Sequence, residues 1–430
     1  MRLTCLFKFA GYAFVFAAAP GLAKAQVLST QENAPYSRYG IGEIFSGTSV
    51  AQRGAGGASV AVSQPFSINT ENPASYGNLS LTTYEVGVAG SRRSVVSDTR
   101  NYPTGSATLS YLRLAFPVSK SVGIALGLQP ESRVYYHLLD TGNYPGLGLA
   151  VNEYVGEGGL NQGFIGVGGG YKGFRIGVNV GYTFGTFRDE NSRYFPETDT
   201  ARTFGASFGQ RVSVGGLSYK LGAQYTTQLK GLLGLRLGAT VRLKKDLKAE
   251  SNELWTSFRY GGTSGTIIDT ALYRQNATGD LTLPMSYAIG AQLFSGNQWA
   301  VTADFGATQW KDYRLLGKTD SLADQSWKIA VGAEYTPLNT VSAKYLQRVT
   351  YRLGFAYGTE PFYVGGAQPS TFMGTAGLSL PFRRSTDRIH LAVEVGRRTS
   401  AASFSLRENF TRLLVGISLN DRWFVKRRYD

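Results

Sequence analysis

The chain offers two imidazoles for general acid–base work, His137 and His390, and a single thiol, Cys5. A hydrolase or acyltransferase needs a general base beside a nucleophile, and Ser132, close to His137 in sequence, is the hydroxyl to weigh. His137 reads instead as a rim residue. Two histidines without a third ligand make no zinc-type site. The glycine-rich stretches GIGEIFSG (40–47) and GVGGG (166–170) lack the G-x-x-x-x-G-K-[ST] spacing that cradles phosphate, so they read as packing glycines. No catalytic residue, metal or cofactor is expected, and what remains is charge set among apolar segments.

The elements that carry those charges are read from the N-terminus onward. Residues 1–25 read as a secretory signal peptide: Arg2 and Lys8 precede an apolar stretch from Phe9 to about Ala19, and Ala23-Lys24-Ala25 offers small residues for cleavage before Gln26. The apolar stretch is too short to span roughly 30 Å of hydrocarbon. Cys5 leaves with this segment, so the mature chain is expected to hold no disulfide or metal thiolate. No later run of about 18 apolar residues suggests a membrane helix. The sequence is 13% aromatic with 54 Gly and only 17% charged residues, which favours strands. Its net charge of +15 suggests an anionic partner. The basic residues are scattered, however, so nucleic acid is not expected. Phosphate-bearing membrane lipid is.

From Leu81 the pattern has a period of two. In GFRIGVNVGYTFG (173–185), Phe174, Ile176, Val178, Val180, Tyr182 and Phe184 share one face, and Arg175, Asn179 and Thr183 share the other with glycines. GLRLGATVRL, TYRLGFAYG, IHLAVEVG and LLVGISL repeat the pattern. An exported chain with many such segments, near ten residues each, satisfies its backbone in lipid by closing the sheet on itself. The predicted fold is all-β: a transmembrane antiparallel barrel of about 14 strands, over 81–92, 106–116, 119–137, 158–171, 173–188, 205–228, 231–248, 284–295, 298–312, 326–337, 347–359, 371–382, 387–398 and 408–420. Tight links alternate with longer polar ones, the longest over 249–283 with GGTSGT at its centre. Both chain ends are then expected on the periplasmic side, and Trp423, Phe424 and Tyr429 approach the terminal aromatic that barrel assembly machinery reads. Arg175, Arg236, Arg242, Lys328, Glu334, Arg352 and Glu394 fall on the inward face and are expected to line the lumen, pairing with one another and with the segment before the barrel.

That segment, 26–80, is glycine-rich and interrupted, yet carries Phe45, Val60, Val62, Phe66, Ile68 and Tyr76. A barrel of this width must hold water or be filled, so a compact segment inside it is expected, acting as a hatch. Arg53-Gly54-Ala55-Gly56-Gly57-Ala58 followed by Asn72-Pro73-Ala74 and then a first strand resembles the hatch of the FadL/TodX outer-membrane transporters of long-chain fatty acids and hydrocarbons. Where acids are common in that family, Ser63-Gln64-Pro65-Phe66 stands here. The resemblance implies a bacterial outer-membrane channel passing hydrophobic small molecules, with Arg53, Asn72, Pro73 and Ala74 in holding or gating the hatch. It also implies a kinked third strand that opens sideways. Pro130 interrupts SVGIALGLQPESRVYYHL and cannot donate to the ladder, which makes Gly127, Gln129 and Pro130 the candidates for that opening. Two other readings stay open: a FadL-like barrel serving secretion-system proteins as scaffold or shuttle, and a general porin.

Overall fold

A computed structural model describes residues 33–96, 101–146, 148–196, 204–260, 265–338, 340, 343–383, 385–400 and 407–423. The expected signal peptide, residues 26–32, the loop tip at 261–264, Phe424 and Tyr429 lie outside these residues.

Fourteen barrel strands follow one another: β1 (Thr82–Val96), β2 (Asn101–Pro117), β3 (Val122–Tyr144), β4 (Gly148–Tyr171), β5 (Phe174–Tyr194), β6 (Gly205–Lys230), β7 (Leu233–Arg242 continued by Lys245–Tyr260), β8 (Gly265–Leu283 continued by Ser286–Ser295), β9 (Trp299–Thr308), β10 (Ser326–Tyr335), β11 (Thr350–Thr359), β12 (Ser370–Pro381), β13 (Arg388–Thr399) and β14 (Arg407–Asp421). Each is antiparallel to the next, and β14 returns to β1 from Arg407↔Val96 to Asp421↔Thr82, closing the ring. The period of two explains the wall: on β14, Leu413, Val415 and Leu419 face outward and are exposed, while Leu414 and Ser418 between them are buried. An apolar exterior around a satisfied backbone is what hydrocarbon demands.

The stretch 249–283 is not a long loop. Its residues pair as a hairpin from Tyr260↔Gly265 down to Lys245↔Leu283, and Gly205–Gly215 of β6 pairs with its first arm. Thr266, Ile267, Ile268, Thr270 and Tyr273 suit a pleated surface. Register shifts between Ile267 and Asp269, Thr270 and Leu272, and Arg274 and Ala277 break the alternation in sequence. The ninth strand, expected to reach 312, stops at Thr308, after which Trp310–Asp312 forms a 3-10 turn. The wall is uneven. β6 has 26 residues and β4 has 24, whereas β9, β10 and β11 have 10 each, so one side rises roughly 50 Å further along the strands.

The outward band sets a test. Leu413→Arg should destabilise the protein in liposomes by roughly 2–4 kcal/mol if it lies near the bilayer midplane, and Asn409→Arg, above the band, by about 0–1 kcal/mol. Denaturant titration of the lipid-embedded protein measures both.

Candidate functional site

Residues 33–80 have little regular structure: a 3-10 turn at Pro35–Arg38, two strand residues at Glu43–Ile44, one helical turn at Val50–Arg53 and a 3-10 helix at Pro73–Asn78. Two local devices fix the turns. Ser49 and Gln52 form a capping box, each side chain accepting from the other's backbone N–H, which sets Arg53 at the end of its turn. Asn72 accepts from the N–H of Ala74 at 3.1 Å, with Pro73 at the first helical position.

Such a chain cannot satisfy its own backbone, and the barrel wall supplies the partners. Asp304 on β9 accepts from the N–H groups of Ser59 and Val60 at 2.5 and 2.8 Å. Gln224 on β6 donates to the carbonyls of Val60 and Val62 at 3.0 and 3.2 Å. Thr375 on β12 accepts from Gly56 N–H at 2.8 Å and donates to the Gly54 carbonyl at 3.0 Å. Tyr111 on β2 accepts from Val50 N–H, and Glu85 on β1 from Ile68 N–H. Asn72 donates to Val60 O at 2.8 Å and to Ala223 O of β6 at 3.1 Å. Contacts with strands all around the ring set this segment within it.

Close approach requires an inner wall without side chains. A Cβ at Gly168 or Gly177 would strike Pro73, at Gly222 Asn72, at Gly238 Val60, at Gly332 or Gly354 the Ala55–Gly56 backbone, and at Gly377 Gly54. These glycines belong to β4, β5, β6, β7, β10, β11 and β12, and form a belt into which the chain is seated.

Above the belt runs a ladder of alternating charges. Arg53 donates to both oxygens of Glu394 at 2.7 Å. Arg412 joins Glu394 to Glu43, at 3.5 and 2.6 Å, Arg93 joins Glu43 to Glu408, and Arg398 joins Glu408 to Glu360 at 2.7 and 3.0 Å. A second cluster holds Glu131 between Arg242, at 2.6 Å, and Lys245, at 3.1 Å, and Lys220 meets Glu71 at 3.0 Å. A third path runs from Gln64 through Glu334, Arg352, Ser379, His390, Ser418 and Glu85 back to Ser67. His390 is thus held between two serine hydroxyls at 2.6 and 2.8 Å.

Of the inward charges expected from sequence, Glu394, Arg242, Glu334 and Arg352 have these partners, and Arg236 donates to Gln292 at 2.7 Å and to Ser63 O at 3.2 Å. Arg175 and Lys328 face inward without an ion pair to a described residue, and Lys328 borders a cavity. His137 pairs with Glu153 at 2.7 Å, while the buried Ser132 hydroxyl has no hydrogen-bond partner among the described residues, so the two do not form a nucleophile–base pair. Among the described residues, no group of three or more His, Cys, Asp or Glu is arranged to hold a metal ion. The sequence reading missed Glu43, Arg93, Glu131, Arg398, Glu408 and Arg412. Four of them share the inward rows of β1, β13 and β14, and Arg93 lay just past the predicted end of its strand.

The wall parts between β2 and β3. Their pairing runs only from Leu112↔Leu128 to Pro117↔Gly123. Gln129, Pro130, Glu131 and Ser132 are all buried, and the β3–β4 register shifts between Pro130 and Ser132. This bulge turns the Glu131 carboxylate inward to Arg242 and Lys245. Gly127 leaves room for the Arg113 side chain, whose guanidinium donates to Gln129 at 2.9 Å and to Gly47 O. Past the parting, β3 pairs instead with the N-terminal segment: Ile44↔Ser132 and Glu43↔Arg133, with Ala34 N–H donating to Tyr135 O at 2.8 Å. Asn33, the first described residue, touches His137 on β3 and Thr104 on β2, toward the long-loop end rather than the tight-turn end expected for the N-terminus. A cavity of about 470 Å³ lies between the segment and the wall, lined by Phe45, Glu131, Arg242, Trp327, Lys328 and Met373 among others.

The chain belongs to the BamG family, whose model matches residues 12–430. No curated protein sequence matches it. Its fold is similar to that of the Pseudomonas putida toluene transporter TodX (16% identity, TM-score 0.56, covering 89% of this chain and 100% of that one). It is likewise similar to the Ralstonia pickettii toluene transporter TbuX (14%, 0.56, 86% and 97%) and to a Pseudomonas aeruginosa FadL homologue (13%, 0.55, 88% and 98%). The FadL-type barrel architecture is shared.

Two outcomes are expected from this geometry. Gly354→Val drives a side chain into the Gly56 backbone and should destabilise the protein by at least about 1–3 kcal/mol, while Gly374→Ala, which meets nothing within 4 Å, should be nearly silent; thermal unfolding distinguishes them. The second concerns acid. Burial would raise the Glu71 carboxyl, but Lys220 and Arg242 pull it from 4.5 down to about 2. A depressed carboxylate stabilises fully above its free value and loses that contribution as pH falls through its folded one. Protease sensitivity of residues 33–80 should therefore rise between pH 4.5 and 2, with a smaller rise in Glu71→Gln.

Proposed function

We propose that this BamG-family barrel is a passive outer-membrane passage for hydrophobic small molecules such as long-chain fatty acids. The observation that carries the reading is the parted wall: above Leu112–Leu128 the edges of β2 and β3 are not paired with each other, and the N-terminal segment that pairs with β3 there, through Glu43 and Ile44, also lines the cavity together with Glu131 and the strands across the bore. Residues 33–80 act as the hatch, held by Arg53 and by the Asn72-Pro73-Ala74 turn. The ligand occupies the space between hatch and wall and leaves sideways past Gly127, Gln129 and Pro130. Partition of apolar surface from water, about 25 cal/mol per Å², drives the process without nucleotide or metal. The fold shared with the toluene transporters TodX and TbuX supports the reading.

A second reading, a structural partner of the barrel assembly machinery or of secretion-system proteins, is favoured by the family name and by the ion-pair ladder that ties Glu43 and Arg53 to the wall. Uptake of labelled fatty acid by cells with and without the protein tests the first. Ile44→Cys with Ser132→Cys, across a paired position, should cut uptake at least about tenfold when oxidised and restore it on reduction if the segment must leave β3. Uptake that is equal with and without the protein overturns the passage. Protein partners that co-purify in stoichiometric amounts, with uptake unaffected, support the second reading.

A further inference from the structure

The outer face of β13, β14 and β1 carries charge of one sign at one height. The sequence places Arg-Arg pairs on β1 (Arg92-Arg93) and β13 (Arg397-Arg398), and Arg407-Glu408 on β14. Because successive residues of a strand face opposite ways, one member of each pair points into the bore and the other away from it. The inward members are neutralised, since Arg93, Arg398 and Glu408 form consecutive steps of the buried ladder. The outward members Arg92, Arg397 and Arg407 make no ion pair with a described residue.

Their height is set by the apolar band. Outward rows read Tyr84, Val86, Val88 on β1, Leu391, Val393, Val395 on β13, and Leu419, Ile417, Val415, Leu413 on β14, and the arginines come just beyond. Register brings them together: Arg397 faces Asn409, Asn409 faces Ser94, Thr411 faces Arg92, and Arg407 faces Val96. Adjacent strands are about 4.8 Å apart, so guanidinia from β13 and β1 converge over the short side chains of β14. On the described outward rows of these three strands the single carboxylate is Asp421, at the opposite end of β14. Phe372, 53% exposed, flanks Arg397 on β12. The position is the long-loop end, where the hydrocarbon-facing band meets headgroups.

We propose that Arg92, Arg397 and Arg407 form a site for the phosphates of an outer-leaflet glycolipid of the lipopolysaccharide type. Its acyl chains lie on the apolar rows of β13, β14 and β1, and its phosphate oxygens are held by the guanidinium forks, whose geometry matches phosphate. The rows beneath supply continuous apolar surface, and the outward rows of these strands carry no described carboxylate at that height to cancel the attraction.

The test compares the wild type with Arg92→Gln/Arg397→Gln/Arg407→Gln in detergent, measuring bound lipid A by mass spectrometry after equilibration with purified lipopolysaccharide. Heat-modifiable migration on gels confirms that each protein is folded, and a second variant with lysine at all three positions retains charge. Wild type should retain lipid A at least about tenfold more tightly than the glutamine variant, with the lysine variant between. Dephosphorylated lipid A should bind wild type no better than the glutamine variant, and phosphatidylglycerol should compete weakly. Equal retention by wild type and glutamine variant, undiminished binding of the dephosphorylated lipid, or equal competition by phosphatidylglycerol would overturn the assignment.

Discussion

An irregular backbone inside a closed barrel must find hydrogen-bond partners it cannot supply itself. Residues 50–76 make few bonds of their own, so Asp304, Gln224, Thr375, Tyr111 and Glu85 reach inward from five strands to meet their N–H and C=O groups. The glycine belt follows from the same need. A polar side chain can contact the segment's backbone only if the neighbouring wall positions are flat enough for that backbone to come close, as they are at Gly332, Gly354 and Gly377.

Charge adds a second level of attachment. The ladder from Arg53 to Glu360 places Glu394, Glu43 and Glu408 each between two arginines, which offsets the cost of burying them. It engages the N-terminal segment twice, at Arg53 and at Glu43, and so ties it to β1, β13 and β14. Opposite, the Pro130 bulge points Glu131 at Arg242 and Lys245. The same bulge lies where β3 leaves β2, so one local irregularity both parts the wall and anchors a buried charge.

Much of the barrel was legible in the sequence because period-two patterning is local: Phe174 to Phe184 alternates whatever the rest of the chain does. The hairpin at 249–283 was not legible, since its register shifts interrupt the alternation while tertiary pairing preserves the strands. The inward rows were legible as rows, but their partners were not. Arg53 and Glu394 are 341 residues apart, and no local pattern links them. Glu131 escaped notice because a bulge, rather than strand parity, sets its direction.

Amide hydrogen exchange across residues 50–68, in protein reconstituted into lipid, tests most directly whether the wall holds this segment. Val50, Gly56, Ser59, Val60 and Ile68, whose N–H groups donate to wall side chains, should exchange as slowly as amides in the barrel strands. Exchange at the rate of an unstructured peptide would contradict this.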